Sequence, residues 1–245
     1  GPETKILPKL ISYVSLYKSK PMQQKELENS GVKLESVDRA LSMFVYSILY
    51  GHGEKVSRLC TKDPDLFFHI AYLNRLFPRA KFIYIIRDGR AAAHSMMRIK
   101  REPPSFKYMR MYLQTWNSFA VKAYRECSMI GQEFCLIVKY EQLILETRRT
   151  VEEVMRFLGE PFREEQLHHE QYVGDRVKLI DNGWSSDQVA HAVNTNSLVA
   201  WIENLVGDYD AEMVKSVAPM LKTFNYSWNT EDLDYFKEFK RRKTG

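Results

Sequence analysis

The run Lys81-Phe82-Ile83-Tyr84-Ile85-Ile86-Arg87-Asp88-Gly89 constrains this chain more than any other stretch. Five consecutive apolar residues bounded by charge have the pattern of a strand buried on both faces, as in a parallel sheet. Ala91 to Met97 then reads as helix. A helix over 109–126, with Tyr112, Trp116, Phe119 and Ala120 on one side, leads to a second short strand at Leu136–Tyr140. Such alternation predicts an α/β fold with a parallel β-sheet flanked by helices. Only two central strands are legible, so at least one more is expected upstream of Gly1. Residues 36–50 carry a helical stripe (Leu41, Phe44, Val45, Ile48) with Ser36 as N-cap. Asp63-Pro64 opens a helix that runs to Leu76, and Thr150 to Glu153 has the form of a capping box for a helix ending at Gly159.

Composition narrows the class of ligand. The chain has 245 residues, 44% of them apolar, which is ample for a folded core. Its formal charge of +5, from 36 basic and 31 acidic residues, is mild and spread along the sequence. That fits an anionic ligand or an acidic polypeptide, not the basic footprint of a nucleic-acid binder. No apolar run approaches the roughly 18 residues a membrane span needs. The first residues have neither the basic start nor the apolar stretch of a signal peptide. Cys127 and Cys135 enclose a segment that a local turn could close into a disulfide, but composition alone favours reduced, buried thiols. No metal site is expected.

Chemistry concentrates at the end of the first strand. In open α/β sheets, ligands bind beyond the carboxyl ends of the strands, where Arg87 falls. Its planar fork matches phosphate oxygens, and Ser95 adds a hydroxyl about two turns into the following helix. The plain alternative is an Arg87–Asp88 ion pair at the strand end with Ser95 on the surface.

A strand, an Arg-Asp-Gly-Arg turn and a Ser eight residues after the first Arg resemble the 3′-phosphate segment of sulfotransferases. Within that superfamily the chain is most similar to tyrosylprotein sulfotransferases. The likeness rests on six blocks in the family's order: Glu3-Thr4-Lys5 with Pro8, Leu59-Cys60 with Lys62-Asp63-Pro64, Arg87 to Arg90, Tyr140 to Leu143, Leu167 to Glu170, and Ser186 to Val189. The resemblance implies a P-loop-NTPase-like sulfotransferase fold over residues 1–225, followed by a charged tail at 226–245. It implies transfer of a sulfuryl group from 3′-phosphoadenosine 5′-phosphosulfate to tyrosines of secretory proteins in acidic context, with no metal. By position, Glu3 matches the catalytic base and Lys62 the cation at the leaving bridging oxygen. Arg87, Ser95 and Arg98 match the 3′-phosphate side, and Tyr140 lines the cofactor site. Ser185, Ser186, Gln188, Val189 and Asn194 match the loop over the nucleotide, and Lys5 and Lys9 face the acidic peptide. Cys127 and Cys135 match a family disulfide, and Cys60 matches half of a second whose partner would lie upstream. The family also implies a homodimer in the Golgi lumen with a membrane anchor upstream.

Departures from the pattern shape further expectations. No glycine-rich 5′-phosphosulfate loop occurs in these residues, so the polypeptide as it stands is expected to bind nucleotide weakly and to turn over little. The basic residue expected a few positions after Ser95 is displaced: position 99 is Ile99, between Arg98 and Lys100. His191 and Ala200 stand at lysine positions. Competing readings are a carbohydrate or small-molecule sulfotransferase and a non-catalytic acidic-peptide-binding remnant. A nucleotide kinase is disfavoured by the missing Gly-Lys-Ser/Thr loop. Asn225-Tyr226-Ser227 is a glycosylation sequon. Tyr235, directly after Glu231-Asp232-Leu233-Asp234, has the acidic context of a sulfation target.

Overall fold

The computed structural model describes residues 5–51, 56–173, 191–193, 195–199, 201–202, 211–228 and 235. It is helix-rich α/β and divides into two compact units. Unit 1 takes in 1–82, 126–135 and 172–186, and unit 2 the rest.

Unit 1 is built on three helices, α1 (Ile6–Ser19), α2 (Pro21–Asn29) and α3 (Leu34–Tyr50). Leu7 and Ile11 of α1, one turn apart, are fully buried against Leu41 and Val45 of α3. Lys5, with φ of 55°, caps α1, and Pro21 opens α2 at the position where a missing N–H costs nothing. The expected stripe on α3 holds, but the helix starts at Leu34 with Lys33 as N-cap, so Ser36 lies inside its first turn. The segment opened by Asp63-Pro64 begins as a 3-10 helix, Pro64–His69, before α4 (Ile70–Leu76). Asp63 caps it, its carboxylate accepting from the Asp65 N–H at 3.2 Å, and the Leu66 N–H closes a tight turn onto the Asp63 carbonyl.

The polar fastening of unit 1 is Asp38. Its Oδ1 accepts from the Lys18 ammonium and, at 2.6 Å, from the Tyr72 hydroxyl, so α1, α3 and α4 meet at one carboxylate. Burial pushes the Asp38 carboxyl up, yet the hydrogen bonds from Lys18 and Tyr72 outweigh it and leave it below its ordinary value. The Cys127–Cys135 disulfide also lies in this unit.

Unit 2 carries most of β1 (Phe82–Ile86), α5 (Gly89–Lys100) and α6 (Phe106–Ile130). It continues through β2 (Cys135–Lys139), α7 (Tyr140–Leu145) and α8 (Thr147–Leu158). Strands β1 and β2 pair in parallel and, among the described residues, form a sheet of two strands. Burial of β1 on both faces does not hold: Ile86 is sealed in the core, but Ile85, which alternates to the opposite face, is 52% exposed. The core stripe of α6 is Met109, Leu113, Trp116 and Ala120, spaced by three or four residues. Phe119 falls outside it and is exposed. The capping box at Thr150 is also corrected. Helix α8 starts at Thr147, Glu146 is its N-cap, and Thr150 is buried within the first turn with its hydroxyl donating to the Gln142 carbonyl at 3.2 Å. Gly159 ends α8 in the left-handed conformation, as expected.

The described residues toward the C-terminus belong to this core. Short helices Ala211–Val217 and Met220–Thr223 bury Val214, Val217 and Leu221. Beyond the sequence boundary at 225, Tyr226 and Tyr235 are buried and Trp228 packs against them. Tyr235 is therefore no exposed modification target: its hydroxyl donates to Asp88 Oδ2 at 2.8 Å. Asn225, by contrast, is exposed.

Two outcomes test this packing. A Cβ on Gly89 would stand 2.6 Å from the Trp116 ring, so Gly89→Ala should cost about 1–3 kcal/mol in urea unfolding. A carboxylate held below its ordinary value contributes stability that is present above the unfolded pKa of about 3.9 and lost as pH falls through the folded value. The melting-temperature gap between wild type and Asp38→Asn should accordingly narrow on acidification from pH 6 to about 3.

Candidate functional site

Two adjacent residues at the end of β1 meet two adjacent residues at the start of α7. The Arg87 guanidinium lies over the Tyr140 ring, 4.8 Å from its centroid. The Asp88 N–H donates to Glu141 Oε1 at 2.9 Å. Parallel pairing explains the meeting, because it brings the carboxyl ends of β1 and β2 side by side and each strand turns there into a helix.

Beneath Arg87 the turn is held by a buried polar cluster. Asp88 is fully buried and caps α5, its Oδ1 accepting from the Arg90 N–H at 2.9 Å. The guanidinium that Asp88 binds is that of Arg90, not Arg87. Arg90 Nε donates to Oδ1 at 2.9 Å and Nη2 to Oδ2 at 2.6 Å, a two-pronged contact between two groups of zero exposure. Arg90 also donates to the Trp228 carbonyl at 3.2 Å and lies 5.3 Å over the Trp201 ring. Glu141 takes the Tyr226 hydroxyl on Oε2 at 2.6 Å. Burial pushes the Glu141 carboxyl above its ordinary value despite those hydrogen bonds. The Tyr226 and Tyr235 hydroxyls are pushed up as well, first by burial and then by the carboxylates they face.

The face of α5 beside Arg87 is cationic. His94 is half-buried, and burial pushes its pKa down, with the charges of Arg98 and Arg87 adding to the effect. Arg87 and Arg98 therefore act on one point, with the half-buried Ser95 next in sequence. A guanidinium held over an aromatic ring, with a hydroxyl and a further arginine on the following helix, suits a phosphorylated aromatic nucleotide, so the residues present fit the 3′-phosphate end of the expected cofactor.

Other expected residues are placed but not gathered by this geometry. Lys62 is exposed in unit 1, just before the Asp63 cap, and Lys5 and Lys9 are exposed at the start of α1. Glu3, Ser185, Ser186, Gln188, Val189 and Asn194 lie outside the described residues. Sequence reasoning missed Glu141, Tyr226 and Tyr235. Glu141 stands inside the Tyr140-Glu141-Gln142-Leu143 block, so an acid beside a nucleotide-facing tyrosine was the available signal.

Comparison with known proteins places the fold and the family. Solved structures titled as sulfotransferase domains share the fold. That of the curacin biosynthetic pathway aligns with a TM-score of 0.56 over 90% of this chain and 78% of its own, at 19% identity. The family model described as "Sulfotransferase family" matches residues 8–164. Protein-tyrosine sulfotransferase A of Caenorhabditis elegans is 35% identical over 239 residues, 97% of this chain and 63% of its own length. Protein-tyrosine sulfotransferase 2 of Gallus gallus is 35% identical over 92% of this chain and 62% of its own length. A putative protein-tyrosine sulfotransferase of Caenorhabditis elegans, 32% identical, is covered over 89% of its length. The chain belongs to the protein-tyrosine sulfotransferase family, within the wider sulfotransferase family.

The cation cluster is open to direct measurement. By NMR titration His94 should ionise below its ordinary 6.5, and Arg98→Ala should move that pKa upward by removing a neighbouring charge. An unmoved His94 would place Arg98 elsewhere.

Proposed function

We propose that the full protein transfers a sulfuryl group from 3′-phosphoadenosine 5′-phosphosulfate to tyrosine hydroxyls of secretory-pathway proteins in acidic sequence context. The observation that carries the reading is Arg87, fixed over Tyr140 at the carboxyl end of β1, in a chain with relatives named protein-tyrosine sulfotransferases. The donor, when bound, supplies the activated sulfuryl group. Arg87, Ser95 and Arg98 hold its 3′-phosphate, and Tyr140 lies against the nucleotide. Glu3 accepts the proton of the attacking phenol, which at a pKa near 10 is a poor nucleophile at neutral pH. Lys62 stabilises the charge that gathers on the bridging oxygen as it departs. Ser185, Ser186, Gln188, Val189 and Asn194 close over the nucleotide, and Lys5 and Lys9 receive the acidic flank of the peptide.

The Cys127–Cys135 bond supports an oxidising compartment, the Golgi lumen in this reading. Homodimerisation belongs to the same reading. Among the described residues no helix is long and apolar enough to cross a membrane.

The test is transfer of radiolabelled sulfate from the donor to an acidic tyrosine peptide by the full-length protein. Glu3→Gln and Lys62→Ala should each lower kcat by about 10²–10⁴-fold with donor KM little changed. Absence of transfer by the wild type, or full activity of both variants, would overturn the assignment.

A further inference from the structure

The Arg87 turn is braced from a distant part of the chain. The Arg87–Asp88 peptide cannot rotate without breaking the 2.9 Å bond from the Asp88 N–H to Glu141. Neither carboxylate beneath it is held by local residues alone. Glu141 is fixed on its other oxygen by the Tyr226 hydroxyl, 85 residues away in sequence. Asp88 is fixed by Tyr235, 147 residues away, and by Arg90, itself bound to the Trp228 carbonyl. Each tyrosine gives its single donor to a carboxylate oxygen, Tyr226 at 2.6 Å and Tyr235 at 2.8 Å, both within the range of well-formed O–H···O bonds.

We propose that Tyr226, Tyr235 and Glu141 are positioning residues for Arg87, so that the C-terminal segment sets how well the turn recognises a 3′-phosphate. All three side chains are buried. They act by fixing the peptide from which the Arg87 side chain springs. Misplacing a binding group by about an ångström is enough to cost much of its effect. The inference rests on the reading that Arg87 holds the 3′-phosphate, and its test separates the two.

The measurement is calorimetric affinity for two nucleotides, 3′-phosphoadenosine 5′-phosphate and adenosine 5′-phosphate, which differ only in the 3′-phosphate. In the full-length protein wild type should prefer the first, and Arg87→Ala should lose most of that preference. If wild type shows no preference, or Arg87→Ala keeps it, the underlying reading fails and the positioning role fails with it. Given a preference that depends on Arg87, Tyr235→Phe and Tyr226→Phe should each reduce it by about fivefold to thirtyfold, the factor for one to two kcal/mol, with affinity for adenosine 5′-phosphate little changed. Adding either Phe to Arg87→Ala should cause no further loss of preference. Glu141→Gln should fall between wild type and Glu141→Ala, since its amide oxygen still accepts from the Asp88 N–H. Tyrosine variants that only lower the melting temperature and keep the wild-type preference would assign them a structural role and overturn the proposal.

Discussion

The Asp88–Arg90 pair has zero exposure on both sides, and the turn after β1 is built around it. Taking two ions out of water costs several kcal/mol each, and the loss is recovered only when geometry is good and the remaining hydrogen-bonding capacity is used. Here Asp88 receives the Arg90 N–H, two guanidinium nitrogens and the Tyr235 hydroxyl. Arg90 adds the Trp228 carbonyl and the face of Trp201. Gly89 between them has no side chain, which lets the Trp116 ring lie against the backbone. Helix cap, buried ion pair and aromatic packing meet within three consecutive residues, and Arg87 emerges directly beside them.

Unit 1 uses the same device at lower cost. Asp38 also gathers a cation and a tyrosine hydroxyl, but it retains partial contact with water, so less desolvation must be offset. The Arg148–Glu164 pair marks the other extreme. Its two bonds of 2.6 and 2.7 Å are geometrically good, yet both side chains are more than half exposed, and such pairs contribute little. Burial, more than the count of ion pairs, decides which of them organise this protein.

Legibility in the sequence follows the range of the interaction. Although the burial of β1 on both faces did not hold, the position of β1, the turn after it and the stripe of α3 depend on near neighbours in sequence, and each reads correctly. So does the Gly159 stop, which needs only a positive φ. Ser36 and Thr150 mislead because both are capping residue types sitting one turn inside a helix that begins earlier. Phe119 misleads because apolar character alone does not say which stripe of a long helix faces inward. At the candidate site, Arg87 and Tyr140 stand in local motifs, and the structure brings the two side chains together. Tyr226 and Tyr235 were not legible, because a hydroxyl meeting a carboxylate across 85 or 147 residues leaves no local period, and acidic neighbours made Tyr235 look solvated.

The span between Asp88 and Tyr235 also bears on how the protein is made. A ribosome delivers β1, α5 and α6 long before the C-terminal tyrosines, and closing so long a loop carries an entropic cost that local helices never meet. During synthesis the turn therefore waits with two acids and an arginine that water must solvate. The nascent chain can complete the bonds to Asp88 only after Tyr235, 147 residues further on, has emerged, so the turn is finished well after the strand that leads into it.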